Sequence, residues 1–420
     1  MSKKPIIGFA GMTHLGLNSA VAAADRGFDI VCFDADAARI ADLKKGETTI
    51  NEPDLLRLMR THAARLTFTS NAADLAACDI VYISLDVPTN DQAVSDLAPV
   101  RAMIDRVNGH LTADALLVVL CQVPPAFTRS IARDPARLFY QVETLIFGQA
   151  VARALYPERY MIGCADPSVP LPAAFASYLA AYECPILPMR YESAELAKTA
   201  INLFLAASVS TANTLAEVCE KIGADWQEII PSLRLDKRIG HHAYIATGLG
   251  LSGGNIERDL RTVSQLGEQH GGNATIPMAY LEHSHYRKQW PIQHVLSAAQ
   301  GRTDFKLCVL GLAYKNDTHS TKNSPAITLI EGMPAGIDIV AYDPVVTSLP
   351  QHPRVTIAKS AADAMKDADA VCVMTAWDAF KTMDWSRAKT AMRGTTLIDP
   401  YGLIAPAHAH GFTHRVMGKA

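Results

Sequence analysis

Apolar residues fall along this chain in two rhythms. The first is a set of short, nearly continuous runs. Pro5–Ala10, Phe28–Phe33, Asp79–Leu85 and Ala115–Cys121 lie in the first third; Lys306–Leu310, Ile337–Tyr342, Ala368–Met374 and Thr395–Ile398 lie near the end. Most are bounded by glycine, proline or an acid. Runs without polar alternation predict strands covered on both faces, as in parallel sheets. The second rhythm is helical and is clearest in Glu192–Gly223. There Leu196, Leu203 and Ala207 line one stripe, and Ile201, Phe204, Leu215 and Ile222 widen it. Ser193 reads as the N-cap, Glu195 as a first-turn acid, Lys221 as a last-turn base and Gly223 as the stop. No charge occurs between Thr199 and Ala216, so this helix is expected to be buried on most sides. Asn202, Ser208, Ser210, Thr211, Asn213 and Thr214 are too many polar groups for a membrane span. Lys198 and Asn202, one turn apart, make a polar island on it. Residues 260–300 read as helical.

The first strand runs into Gly11-Met12-Thr13-His14-Leu15-Gly16, then a helix Leu17–Arg26 closed by Gly27, then the second strand and Asp34. Strand, glycine loop, helix, strand and acid in that order are the pattern of a dinucleotide site. Gly11 permits the tight turn, Gly16 permits close packing of helix on strand, and the helix N-terminus, carrying His14 and Leu15, attracts a pyrophosphate. Asp34 after the second strand accepts from a ribose 2′-hydroxyl and repels a 2′-phosphate, which favours NAD over NADP. Thr13 holds the middle position, where a glycine is usual. Either its side chain points away or the diphosphate sits further out. In such sheets ligands bind beyond the carboxyl ends of the strands. Asp86–Thr89 with Pro88, and Gln122–Pro125, therefore become candidates for the cofactor crevice. Proline-stiffened connecting loops would read the same way, and both readings stand.

Composition narrows the classes. A chain of 420 residues, 49% hydrophobic and 19% charged, predicts two or three domains with ample core. A net charge of −3 gives no reason to expect nucleic acid or an anionic membrane. The eight cysteines are scattered without a CxxC pair, which predicts reduced thiols in a cytoplasm and no zinc site. The basic, then apolar, start MSKKPIIGFAGM reads as a first strand in preference to a signal peptide. His241 and His242 lack partners at metal-binding spacing and read as surface residues. Glu143 lies in the apolar run Phe139–Leu145, either paired structurally or kept for acid–base work. Four glycines between Gly248 and Gly254 bring backbone close to something, just before Arg258 and Asp259 open a helix.

These segments together resemble the nucleotide-sugar dehydrogenase family of the UDP-glucose/GDP-mannose type, over nearly the whole chain. The resemblance rests on the Gly11–Gly16 loop, Glu52-Pro53-Asp54-Leu55, Gln141–Ala150, Pro157–Gly163, and Ala194–Lys198 with Asn202. It continues through Arg238-Ile239-Gly240, the glycine-rich loop to Asp259, Val309–Lys315, Trp377-Asp378 and Asp399. It implies an α/β protein with two Rossmann-like domains joined by a long central helix and a small all-α region. The expected domains are 1–190 for NAD, 191–300 for dimerisation and 301–420 for the nucleotide sugar. It also implies NAD as cofactor, a nucleotide sugar as substrate with a UDP-sugar favoured, and a homodimer. Among the residues, Glu143 matches the acid that handles water, and Lys198 and Asn202 match the pair that stabilises an oxyanion on C6. Asp259 matches an acid assisting deprotonation. Arg238 matches an arginine reaching the neighbouring subunit's substrate, and Lys322 stands for an arginine near the cofactor. Thr144, Leu145, Gly250 and Lys315 fall at substrate-binding positions.

The family captures the aldehyde on a cysteine four residues before that aspartate. Here Asn255 occupies the position, and no cysteine lies between Cys219 and Cys308. An amide is no nucleophile. Gln122, Phe147, Arg258, His319 and Ser320 also depart from the family pattern, around the same reaction. The expectation is an NAD-dependent oxidation of a sugar hydroxyl, C6 first in line, without a thioester. The alternatives are a non-catalytic NAD- or nucleotide-sugar-binding homologue, or a hydroxyacid dehydrogenase of the wider group.

Overall fold

The computed structural model describes residues 4–88 and 95–420; Thr89 lies outside them. The chain divides into two compact units, 1–201 and 202–420.

The first unit is built on eight strands: β1 (Ile7–Ala10), β2 (Ile30–Phe33), β3 (Leu66–Thr69), β4 (Ile80–Ile83), β5 (Leu116–Val119), β6 (Leu138–Gln141), β7 (Tyr160–Cys164) and β8 (Ile186–Arg190). Their order is β3-β2-β1-β4-β5-β6-β7-β8. Every neighbouring pair is parallel except β6 with β7. The apolar runs need no alternation because both faces are covered. Ile7, Phe9, Ile80 and Tyr82 enter one core, while Ala10, Val81 and Ile83 enter the other. The short runs at β6 to β8 escape the sequence reading. β8 contains Pro188, tolerable because the strand lies at the sheet's edge.

The second unit carries β9 (Lys306–Leu310), β10 (Asp338–Tyr342), β11 (Val355–Ile357), β12 (Ala370–Val373), β13 (Thr396–Asp399) and β14 (Thr413–Val416) in the order β11-β10-β9-β12-β13-β14, all parallel. Counted from its own first strand, each sheet therefore begins 3-2-1-4-5-6, with a topological switch point beside that strand. Helices Asn255–Gln269, Thr275–Lys288 and Trp290–Ala299 fill the stretch expected to be helical.

The central helix spans Tyr191–Ile222 and contributes its first eleven residues to the first unit. Two expectations about it need correction. Ser193 does not cap it: β8 ends at Arg190 and the helix follows at once, so Ser193 already lies in the first turn. Nor is it buried on most sides. Leu196, Phe204, Leu215, Val218 and Ile222 are exposed, Phe204 by 78% and Ile222 by 70%. With 100° per residue these positions share one face. The opposite face supplies Ala194, Ala206, Ala212, Ala216 and Cys219 to the cores.

Candidate functional site

The glycine loop of the first unit is a built structure. Gly11 has φ +107°, a region that favours glycine, and a Cβ at Gly16 would stand 1.8 Å from the Gly11 carbonyl oxygen. The first helix, His14–Asp25, thus starts hard against β1. Asp34 is buried. It accepts from Met12 N (2.7 Å), Asp36 N (2.9 Å) and Arg39 Nη1 (2.8 Å), so it also fastens the loop. Thr13 has extended backbone (φ −82°, ψ −170°), which needs no glycine. Its hydroxyl donates to Ser84 O (3.3 Å) and accepts from Asp86 N (3.0 Å), turned toward the end of β4. Asp86 returns the contact, accepting from His14 N (3.0 Å) and Leu15 N (3.3 Å). The His14 ring bonds Glu52 at 2.7 Å and lies 4.2 Å from the Phe147 ring. Pro88 is exposed and Gln122 half-buried, each a few residues beyond the end of its strand.

Glu143 and Lys198 meet in the first unit, with Nζ 3.6 Å from Oε2 and each side chain 17% exposed. Glu143 also accepts from Leu145 N, and Thr144 O accepts from Arg153 Nε at 2.7 Å. Glu143, Thr144 and Leu145 line one cleft with Leu15, Ser19 and Gln141.

In the second unit Asn202 donates through Nδ2 to Asp259, which is buried and also held by Arg258 Nε at 3.1 Å. The glycine-rich loop before them is clamped. Gly250 (φ +74°) lies against Ser284, Leu251 N donates to Ser284 Oγ (2.7 Å), and Gly253 (φ +73°) lies under the Tyr314 ring. The Lys322 stem packs over Gly254. Lys315 is half-buried, next to Tyr314. Asn255 is exposed and is the first residue of Asn255–Gln269, whose N-cap Gly254 offers no side chain. Arg238 projects outward, its side chain 89% exposed beside Asp236. His241 and His242 are exposed, and no cluster of metal-ligating side chains occurs among the described residues.

All eight cysteines are free. Burial pushes the Cys78 and Cys121 thiols up to about 12 and the Cys308 and Cys372 thiols above the ordinary range, away from the thiolate form.

Three acids escaped the sequence reading as organisers of the site. Glu52 accepts from Gly148 N (2.8 Å) and Ala150 N (3.0 Å) and so fixes the segment after Glu143. Glu195, buried, accepts from Ala126 N (2.7 Å) and Thr128 N (2.8 Å) and fixes the loop after Gln122. Asp86 is the third. Their one sequence signal is an acid in an apolar or proline-rich setting; their partners are remote in the chain.

Two sheets with this strand order, parallel but for β6 with β7, the first aiming a glycine loop at a helix N-terminus, define a dinucleotide-binding α/β protein. Comparison with known proteins sharpens the class. Residues 6–175 match the NAD binding domain of the UDP-glucose/GDP-mannose dehydrogenase family, 192–284 its central domain and 308–406 its UDP binding domain. A UDP-glucose 6-dehydrogenase of Pseudomonas aeruginosa is 30% identical over 97% of this chain and 96% of its own length. The UDP-glucose 6-dehydrogenase TuaD of Bacillus subtilis is 28% identical over 98% and 93%. The structure of a UDP-glucose dehydrogenase from Pyrobaculum islandicum superposes with a TM-score of 0.86 at 25% identity, covering 100% of this chain and 99% of that one. The chain belongs to the UDP-glucose/GDP-mannose dehydrogenase family. It is an NAD-dependent oxidoreductase acting on a CH–OH group. The residues present fit the dinucleotide at both ends of the loop, Gly11 and Gly16, and place a carboxylate, Asp86, in the middle.

Proposed function

We propose that the chain oxidises a hydroxyl of a nucleotide sugar, a UDP-sugar at C6 in first place, and does so without a covalent thioester. The observation that carries this is Asn255. It starts the helix where the family has its cysteine, and every thiol with a perturbed pKa is pushed away from ionisation. The groups for removing one hydride are retained. NAD, when bound, supplies the hydride acceptor; the chain's own residues do the rest. Lys198 donates to the sugar oxygen; by passing one of its protons to Glu143, whose Oε2 lies 3.6 Å from Nζ, it can take the hydroxyl proton in exchange. Asn202, with one amide proton on Asp259, retains a second for the oxyanion role that its place in the family implies. Asp259 in turn is held by Arg258. Thr144, Leu145, Gly250 and Lys315 contact the substrate, and Lys322 the cofactor. Without a thiol to hold the aldehyde, oxidation stops at an aldehyde or ketone, or reaches the acid through the hydrate.

The uncovered apolar face of the central helix supports a homodimer, and Arg238, its side chain 89% exposed beside Asp236, suits a residue that serves the partner's substrate. The expected division of labour is 1–190 for NAD, 191–300 for dimerisation and 301–420 for the nucleotide. Free cysteines throughout suit a reducing cytoplasm; no helix among the described residues is long and apolar enough to cross a membrane. The test is to incubate the protein with NAD and UDP-, GDP- and dTDP-sugars and count NADH per sugar consumed. One NADH per sugar is expected. Two would mean that the acid forms through the hydrate and would overturn a stop after one hydride, and none, with tight NAD binding, would favour a non-catalytic homologue.

A further inference from the structure

The first helix begins with an anomaly. Its N-cap, Thr13, makes no capping bond, and no acid stands in its first turn. The cap comes from another strand: Asp86, just past β4, accepts from both His14 N (3.0 Å) and Leu15 N (3.3 Å). The hold is reciprocal, since Asp86 N donates to the Thr13 hydroxyl at 3.0 Å, and that hydroxyl is anchored on Ser84 O. The carboxylate thus sits on the amides that a glycine loop offers to an incoming pyrophosphate, and it satisfies the same positive helix end. Asp86 is itself exposed, so its side chain can swing out without opening the core. Thr13 makes the arrangement possible. A glycine at that position would have no hydroxyl with which to hold the Asp86 backbone.

We propose that Asp86 is an internal competitor for the pyrophosphate of NAD, latched by Thr13, and that it sets the affinity of this chain for its dinucleotide. Binding requires the carboxylate to leave the His14 and Leu15 amides, and until it does, it repels two phosphate charges on the same donors. The inference rests on NAD occupying this loop. Isothermal titration of the unmodified protein, Asp86→Asn and Thr13→Val with NAD, ADP-ribose and adenosine tests it without turnover. Asp86→Asn keeps the shape and a capping oxygen but removes the charge. It should bind NAD and ADP-ribose at least about tenfold more tightly, the scale of one close like-charge contact removed, and leave adenosine unchanged. Thr13→Val, which removes the latch, should move affinity the same way by a smaller factor. Equal or weaker NAD binding by Asp86→Asn overturns the inference, as does equal tightening for adenosine. If neither protein binds NAD, the assignment of the loop falls with it, whereas binding by the unmodified protein without gain in Asp86→Asn sinks the competitor alone. Circular dichroism and melting of Asp86→Asn beside a second neutral cap, Asp86→Ser, separate a lost fold from a lost effect.

Discussion

Asn255→Cys is the substitution that tests the chemistry most directly. Asn255 is the first residue of a helix of 15 residues, and its N-cap Gly254 adds no competing side chain. A thiol placed there faces the positive end of the helix, and this favours an anion by about 0.3–1 kcal/mol. That converts into a thiolate-to-thiol ratio about two to five times that of an exposed cysteine on a loop. Asp259, one turn on, is already engaged by Arg258 and Asn202 and so opposes the gain only weakly. Two readouts follow. Iodoacetamide at pH 7.5 should alkylate the introduced thiol about two to five times faster than a free cysteine peptide, followed by mass spectrometry. With NAD and the preferred sugar, NADH per sugar consumed should rise from one toward two as acid accumulates. If the introduced thiol reacts as expected and the ratio stays at one, Asn255 does not stand beside the reacting carbon. The mechanism proposed here then fails.

Other substitutions probe the frame. Gly16→Ala puts a methyl group 1.8 Å from the Gly11 carbonyl oxygen and should abolish NAD binding by titration calorimetry. Arg287, 2% exposed, pairs with Glu217 (3.2 Å) and Glu220 (3.4 Å); Arg287→Ala removes that shared cation, while Glu217 keeps Tyr286 and Lys221 and Glu220 keeps Trp290 and Gly418 N, and should cost about 1–3 kcal/mol, read as a lowered melting temperature. Phe204→Glu places a charge on the uncovered helix face and should convert a dimer to a monomer in light scattering, with secondary structure intact. Glu195 titrates above its ordinary value of 4.5, chiefly because burial disfavours its charge. A raised carboxyl holds its proton more tightly folded than unfolded, so its contribution falls as pH rises above 4.5 through the folded value. Glu195→Gln should flatten that decline in melting temperature against pH; an unchanged slope would refute the assignment.

The architecture was legible wherever one run of residues carries its own explanation. The glycine loop, the four strands around it and four of the six strands of the second sheet are local patterns, and the central helix was placed within a residue at each end. The helix's surroundings were not legible, because periodicity reports that a face is apolar and not what covers it. Phe204 and Ala206 look alike in the pattern, yet one is 78% exposed and the other buried. Ser193 misled because a strand runs directly into the helix and leaves no loop for a cap. β14, with Thr413, His414 and Arg415, is a polar edge strand and lacks the apolar signal. Asp86, Glu52 and Glu195 act on amides between 67 and 98 residues away, and no spacing rule reaches that far.

The two sheets also give Asp34, expected from the sequence to accept from a ribose hydroxyl, a second task. Its counterpart Asp343, after the second strand of the second sheet, accepts from Leu312 N (2.7 Å) and Ala313 N (3.1 Å), just past Gly311. Asp34 does the same to Met12 N, just past Gly11. The parallel continues at the next strand, where Ser84 bonds the Gly11 carbonyl and Thr375 the Ala313 carbonyl. An acid after the second strand is thus a fastener of the first turn in both halves, whatever else it binds. Asp343 spends itself wholly on that task, accepting also from Val345 N, Val346 N and the Trp377 indole. Asp34 differs in having Arg39 as its third partner, a side chain 42% exposed that can turn aside. In the first half alone, therefore, can the acid release a partner and accept a hydroxyl without loosening the glycine turn. That asymmetry agrees with the match of residues 6–175 to the family's NAD binding domain.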